Sequence, residues 1–291
     1  MLTTLKNVFK IKELRNKILF TLGMLVVIRF GSQLPVPGIR IDEFVNWFQQ
    51  KVGAADSSGF LSAITGGSFE NMSILALNIT PYITSSIIMQ LLTIAIPKLE
   101  EMQKEGEDGR KKLTALTRYV TVVLALIEST AMAVGFGRQG LLEKFNFVNA
   151  AIVVLTLTAG SAFLMWIGER ITEKGVGNGI SIVLLINILS RIPSDMTSLY
   201  EKFISGKGLA SGGLAAIIII AIILVLVVFT VILQDAERRI PVQYSQKVQG
   251  RKSVGGQSTN IPLKVNTAGV IPVIFASSIM QFPVVIASFM G

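Results

Sequence analysis

The sequence contains no cysteine and no histidine among its 291 residues. The chain therefore cannot form disulfides, bind a metal through Cys or His, attach haem covalently, or use a catalytic triad that contains His. Charged residues are scarce at 15%, whereas 51% of the residues are hydrophobic and the mean hydropathy is +0.62. This composition predicts a polytopic membrane protein of the all-α class, and we expect no cofactor.

Seven segments are long and apolar enough to be membrane spans, which need roughly 20 mostly apolar residues. They are residues 18–33, 72–97, 119–136, 147–167, 180–192, 214–234 and 265–289. The first has a basic flank like a signal peptide but no small-residue cleavage site, so we interpret it as a retained span. With the N-terminus in the cytoplasm, 19 of the 27 Lys and Arg residues lie in cytoplasmic segments. This bias supports that orientation.

The spans predict a division of the chain into two unequal parts. A cytoplasmic N-terminus at 1–17 precedes a first half at 18–192, which holds five spans. An external loop at 193–213 leads to 214–291, where spans six and seven flank a cytoplasmic loop at 235–264. The odd number of spans leaves no pair of equal halves. We therefore expect a truncated protein.

Two loops are too long or too unusual in composition to be simple connectors. The external segment 38–71 contains a weakly apolar piece, residues 56–71, bracketed by Gly59, Gly66 and Gly67. It is either an external loop with a helical turn or a re-entrant helix within a cavity. The loop 235–264 is basic and long for a connector. It indicates either a docking site for an acidic protein or RNA surface, or only the charge bias of cytoplasmic loops.

Gly175, Gly177 and Gly179 suggest a phosphate-binding loop only weakly. No strand precedes them, and no Lys-Ser/Thr pair follows at Walker spacing. A tight turn into the fifth span, with Asn178 near its cap, accounts for them better.

The seventh segment is unlike a plain membrane anchor. It carries Asn266 and Thr267 near its start, with Pro272 and Pro283 inside. Proline removes an amide donor from a helix interior, and unsatisfied backbone groups are costly in hydrocarbon. This pattern predicts a moving or pore-lining element.

Seven strings spread along the whole chain point to one family. They are L-P-V-P-G-I (34–39), P-Y-I-T-S-S-I-I-M-Q-L-L-T (81–93), K-E-G-E-D-G-R-K-K (104–112), T-R-Y (117–119), F-L-M-W-I-G-E-R-I-T-E-K-G-V-G-N-G-I-S-I (163–182), E-R-R-I-P-V-Q-Y (237–244) and Q-S-T-N-I-P-L-K-V-N-T-A-G-V-I-P-V-I-F-A-S-S-I (257–279). In these strings the chain resembles the SecY family, the channel-forming subunits of the bacterial protein-conducting translocon. Family members have ten spans, so the resemblance implies that this chain holds the first seven.

The resemblance implies a SecY-type helical bundle: the N-terminal five-span half plus two spans of the inverted second half. A ring of apolar side chains forms the pore waist in this family. The matching positions are Ile79, Ile83, Ile180, Leu184 and Ile274. The first four form two pairs spaced four residues apart, so each pair shares one helix face. Spacing alone would favour ordinary span packing, and only the resemblance indicates a pore ring.

The resemblance also implies a lateral gate, a plug and a docking surface. Gate positions are Thr84, Gln90, Asn266 and Phe282; plug positions are Phe60, Leu61, Ile64 and Phe69; docking positions for SecA or the ribosome are Arg238, Arg239, Lys247, Arg251 and Lys252. Gln246 stands where relatives often carry a basic residue, which predicts weaker electrostatic docking there. Glu128 is the only acid deep in a span, and the resemblance implies no role for it. It is either a functional residue, as its position suggests, or one that makes only a local contact.

The implied function is that of the pore subunit, which conducts unfolded polypeptides across or sideways into the bacterial cytoplasmic membrane. The implied partners are SecE, SecG, SecA, the ribosome, secretory and membrane protein chains, and membrane lipid, but no DNA. We expect no enzymatic activity of its own. One alternative is a secondary transporter with a small-molecule site near Asn78, Glu128 or Asn187. Another is an intramembrane hydrolase, which would need a Ser-Lys or paired-Asp site, yet no apolar core of a span contains Asp or Lys.

Overall fold

The computed structural model describes residues 10–51, 65–205, 209–242, 247–249, 252–254, 259–267, 269 and 276. Eight helices and four strands form within these ranges. The helices are α1 (Lys12–Gly31), α2 (Ile41–Lys51), α3 (Thr80–Ala95), α4 (Pro97–Lys104), α5 (Glu107–Arg138), α6 (Phe147–Lys174), α7 (Gly179–Phe203) and α8 (Leu209–Asp235). The strands are β1 (Glu237–Val242), β2 (Lys247–Gln249), β3 (Lys252–Val254) and β4 (Thr259–Lys264). The predicted helical class is confirmed.

Four helical stretches in the described part of the chain are long and apolar enough to cross a membrane. They are Glu107–Arg138, Phe147–Lys174, Gly179–Phe203 and Gly212–Asp235. They correspond to the third, fourth, fifth and sixth predicted spans. The protein is therefore a multi-pass membrane protein. The predicted seventh span lies almost entirely outside the described residues.

The second predicted span, 72–97, was placed wrongly at its start. Residues 72–79 form turns, and α3 begins only at Thr80 and has 16 residues. The axes of α3 and α4 then differ by 102° across Ile96, so together they count as at most one broken span. Pro97 explains the break, because proline disfavours the helical conformation of the residue before it.

The first and fifth predicted spans differ from their expected forms in opposite ways. α1 is a 20-residue helix, but Arg15, Lys17 and Arg29 confine its uncharged stretch to 18–28, and it does not qualify as a span by length and composition. α7 instead continues beyond the predicted end at Ile192, through Pro193 to Phe203. Helical residues thus enter the predicted external loop 193–213 from α7, and again from α8.

The chain divides into two compact units, Met1–Pro193 with Ser277–Gly291, and Ser194–Ala276. In the first unit α5 and α6 pack through small and hydroxyl side chains. Ser129 and Thr158 are hydrogen-bonded through their hydroxyls over 2.9 Å, and Ala125 and Ala131 are 1% exposed. Small residues allow helix backbones to approach closely where both helices are surrounded by lipid.

An aromatic cluster covers the predicted external end of the first unit. Phe44 of α2 is fully buried, and its ring lies 5.1 Å from that of Phe136 and 6.2 Å from that of Phe69. The segment 34–39 joins this end to the turns before α3, because Val36 donates its amide to the Met72 carbonyl over 3.0 Å. The helix α2 was not predicted from the sequence.

The second unit contains α8 and two small antiparallel sheets. β1 pairs with β4, with Glu237 opposite Lys264 and Val242 opposite Thr259, and β2 pairs with β3. The described residues of the predicted cytoplasmic loop 235–264 are therefore mostly β-structure, which was not predicted from the sequence. Its two Ile-Pro pairs, Ile240-Pro241 and Ile261-Pro262, lie in facing strands. They were the available signal for strands, because a residue before proline favours an extended backbone.

Candidate functional site

The candidate site is the place in the first unit where the beginnings of α3 and α7 meet α6. α3 has a proline in its first turn: Ile79 is the cap residue, and Pro81 follows the first helical residue, Thr80. Proline suits that position because its missing amide would have no partner there anyway. The amides of Tyr82 and Ile83 both donate to the Ile79 carbonyl over 3.1 Å, which fixes the start of the helix directly after Ile79.

The beginning of α7 is fixed by Asn178 and by a close contact with α6. The Asn178 Oδ1 atom accepts a hydrogen bond from the Ile180 amide over 3.0 Å. The Gly179 amide donates to Thr172 Oγ1 over 2.9 Å. Gly179 also lies directly against the Gly168 carbonyl, where a β-carbon would not fit. The interpretation of 175–179 as a tight turn capped by Asn178 is thus supported.

These two helix starts bring four of the five predicted ring residues into one apolar cluster. Ile79 is fully buried within it, and Ile83, Ile180 and Leu184 pack at its edge, partly exposed. At Gly168, a β-carbon would lie 3.5 Å from side-chain atoms of both Ile79 and Ile180. The remaining core members come from α1, α6, α7 and the turn before α3: Ile28, Leu75, Leu164, Ile167, Ile171 and Val183. The fifth ring residue, Ile274, lies outside the described residues.

A polar pair that sequence spacing could not reveal adjoins this cluster. Asn187 Nδ2 donates to Asn78 Oδ1 over 3.0 Å, and the two residues are 3% and 1% exposed. The transporter alternative assigned these two asparagines to a small-molecule site. In the structure their side chains bind each other, 109 positions apart in sequence.

The turns before α3 are held by further polar contacts to α7 and α1. Arg191 Nη1 lies 2.6 Å from Glu70 Oε2. Arg29 donates to Ser190 Oγ over 3.0 Å and to the Gly66 carbonyl over 3.4 Å. None of these pairs was predicted, since each joins residues that are far apart in the sequence.

The predicted gate residues are only partly covered by the structure. Thr84 is 5% exposed, whereas Gln90, further along α3, is exposed and borders a cavity of about 350 Å³ beside α4 and α5. Asn266 belongs to the second unit, where its Oδ1 atom accepts the Gly269 amide over 3.0 Å. Phe282 lies outside the described residues.

Of the predicted plug residues, the structure describes only Phe69, whose ring lies 5.8 Å from that of Phe48. Phe60, Leu61 and Ile64 lie outside the described residues. Among the docking residues, Arg238 and Arg239 are exposed on β1. Lys247 is the first residue of β2 and Lys252 the first residue of β3, and Arg251 lies outside the described residues. Glu128 is partly buried on α5 and makes no hydrogen bond or ion pair within the described part of the chain.

Comparison with known proteins agrees with this architecture. The family model described as SecY matches residues 73–291. The chain is 46% identical over 296 residues to protein translocase subunit SecY of Halalkalibacterium halodurans, covering 100% of this chain and 68% of the relative. It is 43% identical over 302 residues to the subunit of the same name from Streptomyces scabiei, with the same coverage of 100% and 68%.

Solved structures give the same fold. Sec61 in the canine ribosome-channel complex from the endoplasmic reticulum matches with a TM-score of 0.55 and 20% identity. That match covers 91% of this chain and 56% of the solved chain. The chain thus spans little more than half of that channel subunit and about two thirds of its curated relatives. On the family model and these identities, the chain belongs to the SecY family.

Proposed function

We propose that the chain forms the first part of a translocon pore, which conducts unfolded polypeptides across a membrane or sideways into it. The observation that carries this proposal is the convergence of the two predicted ring pairs, one from α3 and one from α7, on a single apolar cluster. Two helices separated by about a hundred residues contribute equivalent branched aliphatic side chains at one level. Membership of the SecY family supports the same conclusion.

An apolar ring suits a channel whose substrate is any polypeptide. Isoleucine and leucine offer no hydrogen bonds, so the constriction favours no particular substrate sequence. A narrow apolar passage also loses its water readily, and this dewetting blocks ions. Ile83, Ile180, Leu184 and Ile274 would line the passage, with Ile79 supporting them from the buried side. The chain performs no chemistry in this mechanism; the driving force comes from a motor or from translation.

The gate and the plug follow from the same proposal. Gln90 and Asn266 would form a weak polar clasp on a seam flanked by Thr84 and Phe282. Hydrogen bonds between spans contribute only about 1 kcal/mol, which suits a seam that must open. Phe60, Leu61, Ile64 and Phe69 would belong to a plug that closes the outer side. The exposed position of Gln90 on α3 supports its place on the seam.

The proposed setting is the bacterial cytoplasmic membrane, with the N-terminus in the cytoplasm. The exposed arginines of β1 would then face the cytoplasm and receive the ribosome or the SecA motor. A solved relative of the same fold, Sec61, is described in a ribosome-channel complex. SecE and SecG would complete the assembly. Lipid would surround α8, because the span-length stretch of this helix, Gly212–Asp235, is not buried in the described structure.

A transport assay tests the proposal. The chain would replace the matching part of the H. halodurans relative, giving a full-length chimera that we call the completed channel. Proteoliposomes with the completed channel, SecE, SecG and SecA should protect an added secretory protein from protease when ATP is present, as the parent channel does. If the parent channel translocates and the completed channel does not, the proposed function is wrong.

A further inference from the structure

The starts of α3 and α7 are joined by a buried hydrogen bond immediately beside the ring residues. Asn78 directly precedes Ile79, and Asn187 lies on the same face of α7 as Ile180 and Leu184, since these positions follow the spacing i, i+4, i+7. The bond between Asn187 Nδ2 and Asn78 Oδ1 therefore crosses from one ring pair to the other.

The backbone at Asn78 is suited to this contact. Its φ of 54° lies in the left-handed region, which asparagine tolerates better than most residues other than glycine. The turn presents the amide group of Asn78 to α7 while Ile79 enters the apolar cluster. Both asparagines are almost fully buried, so removal of either side chain breaks a hydrogen bond that is shielded from water, and the loss of such a bond is destabilising.

Further contacts from the same side of α7 brace this connection. Arg191 binds Glu70, and Ser190 accepts from Arg29 and donates to the Asn187 carbonyl over 2.7 Å. Gly66 lies so close to Asn187 that a β-carbon would come within 2.7 Å of the Asn187 carbonyl oxygen. Asn187, Ser190 and Arg191 follow the spacing i, i+3, i+4 and so lie together on α7. The turns before α3 are thus attached to α7 at three points.

We propose that Asn78 and Asn187 are positioning residues of the pore. Their hydrogen bond holds the start of α3 at a fixed distance from α7. It thereby sets the separation of Ile79 and Ile83 from Ile180 and Leu184 when the channel is closed. An opening that moves α3 away from α7 must break this bond. The inference rests on the proposed function. It adds that the hydrogen bond between Asn78 and Asn187 determines how readily the ring opens.

The first test measures coupling without any transport. Asn78→Gly keeps the left-handed backbone and removes the amide, and Asn187→Ala removes its partner. In thermal unfolding of the 291-residue protein in detergent, each variant should lower the midpoint by about 2–4 °C. The double variant should lower it by little more than one of them, because both changes remove the same bond. Fully additive shifts would overturn the inference and leave the proposed function standing.

The second test measures pore closure in the completed channel. Each single variant should raise the ion conductance of the idle channel about fivefold, as expected when a closed state loses one hydrogen bond of ordinary strength. Asn149→Ala is the matched control: its amide donates to the Lys144 carbonyl over 3.2 Å, far along the sequence from the ring. This control should leave the conductance unchanged. Wild-type conductance in both ring-side variants would overturn the inference.

A reversible crosslink between positions 78 and 187 distinguishes a positioning role from a general effect on stability. Because the chain lacks cysteine, Asn78→Cys with Asn187→Cys introduces two unique thiols into a completed channel freed of other cysteines. Joining them with a short reducible bifunctional reagent should abolish the added ion leak and stop translocation, and reduction should restore both. Translocation that continues with the link in place would overturn the inference. A wild-type completed channel that does not translocate would instead refute the proposed function.

Discussion

Gly179 at the start of α7 lies directly against the carbonyl oxygen of Gly168 in α6. A β-carbon at residue 179 would overlap that oxygen and lie 2.9 Å from Cβ of Ile171. That oxygen is a backbone atom and cannot rotate away as a side chain could, so the backbones of α6 and α7 would have to separate. The contact places Ile180 beside Ile79 and is therefore part of what aligns the two ring pairs.

Substitution of Gly179 should accordingly damage the cluster. We expect Gly179→Ala to lower the free energy of unfolding by about 1–3 kcal/mol, the usual cost of overpacking a close contact. Gly23→Ala is the control, since Gly23 lies within α1 and, apart from the neighbouring backbone of that helix, no described atom lies within 4 Å of the position that its β-carbon would take. Alanine there should be neutral or stabilising. Thermal unfolding in detergent measures both, and equal effects of the two substitutions would contradict this account.

The aromatic cluster gives a second stability prediction. Phe44 is fully buried and its ring lies near those of Trp47, Phe48, Phe69 and Phe136. Phe44→Ala should destabilise the protein by about 3–5 kcal/mol, because it leaves a cavity among packed rings. Phe147→Ala should change little, as Phe147 is 86% exposed. Comparable losses in the two variants would show that the cluster does not stabilise this end of the first unit.

The basic loop 235–264 yields a prediction about binding. Reversing Arg238 and Arg239 to glutamate in the completed channel should weaken binding to ribosomes or SecA by at least about tenfold at low salt. The difference should shrink at high salt, because exposed charges are screened within about 10 Å at 0.1 M ionic strength. Lys247→Glu with Arg251→Glu should act in the same direction. Arg138→Glu with Lys144→Glu is the control with the same charge change at the predicted external side. If co-sedimentation shows unchanged affinity for the variants in the loop 235–264, the docking proposal is wrong.

Hydropathy located most of the long helices, but it could not locate the start of α3. Met72, Leu75 and Leu77 are as apolar as residues of a span, yet they are no more than 4% exposed within turns. A buried turn and a membrane helix have the same composition, and only tertiary contacts distinguish them. Met72 and Asn78 have positive φ values, of 43° and 54°, which no periodicity can indicate.

The candidate site was predictable in its residue types but not in its polar contacts. The family motifs identified Ile79, Ile83, Ile180 and Leu184, and the structure brings them into one cluster. The bond between Asn78 and Asn187 and the pair of Glu70 with Arg191 depend on how α7 passes the turns before α3. Such contacts join residues more than a hundred positions apart, and sequence spacing carries no information about them.

The central claim, that these isoleucines and leucines line a polypeptide pore, is tested most directly by site-specific crosslinking. The native chain has no cysteine, so Ile83→Cys or Leu184→Cys adds one unique thiol to a completed channel freed of other cysteines. Val123→Cys is the control, on a side chain of α5 that is 58% exposed. With a secretory chain stalled in transit, we expect adducts from residues 83 and 184 and none from residue 123. Adducts from residue 123 alone, or equal adducts from all three positions, would contradict the account.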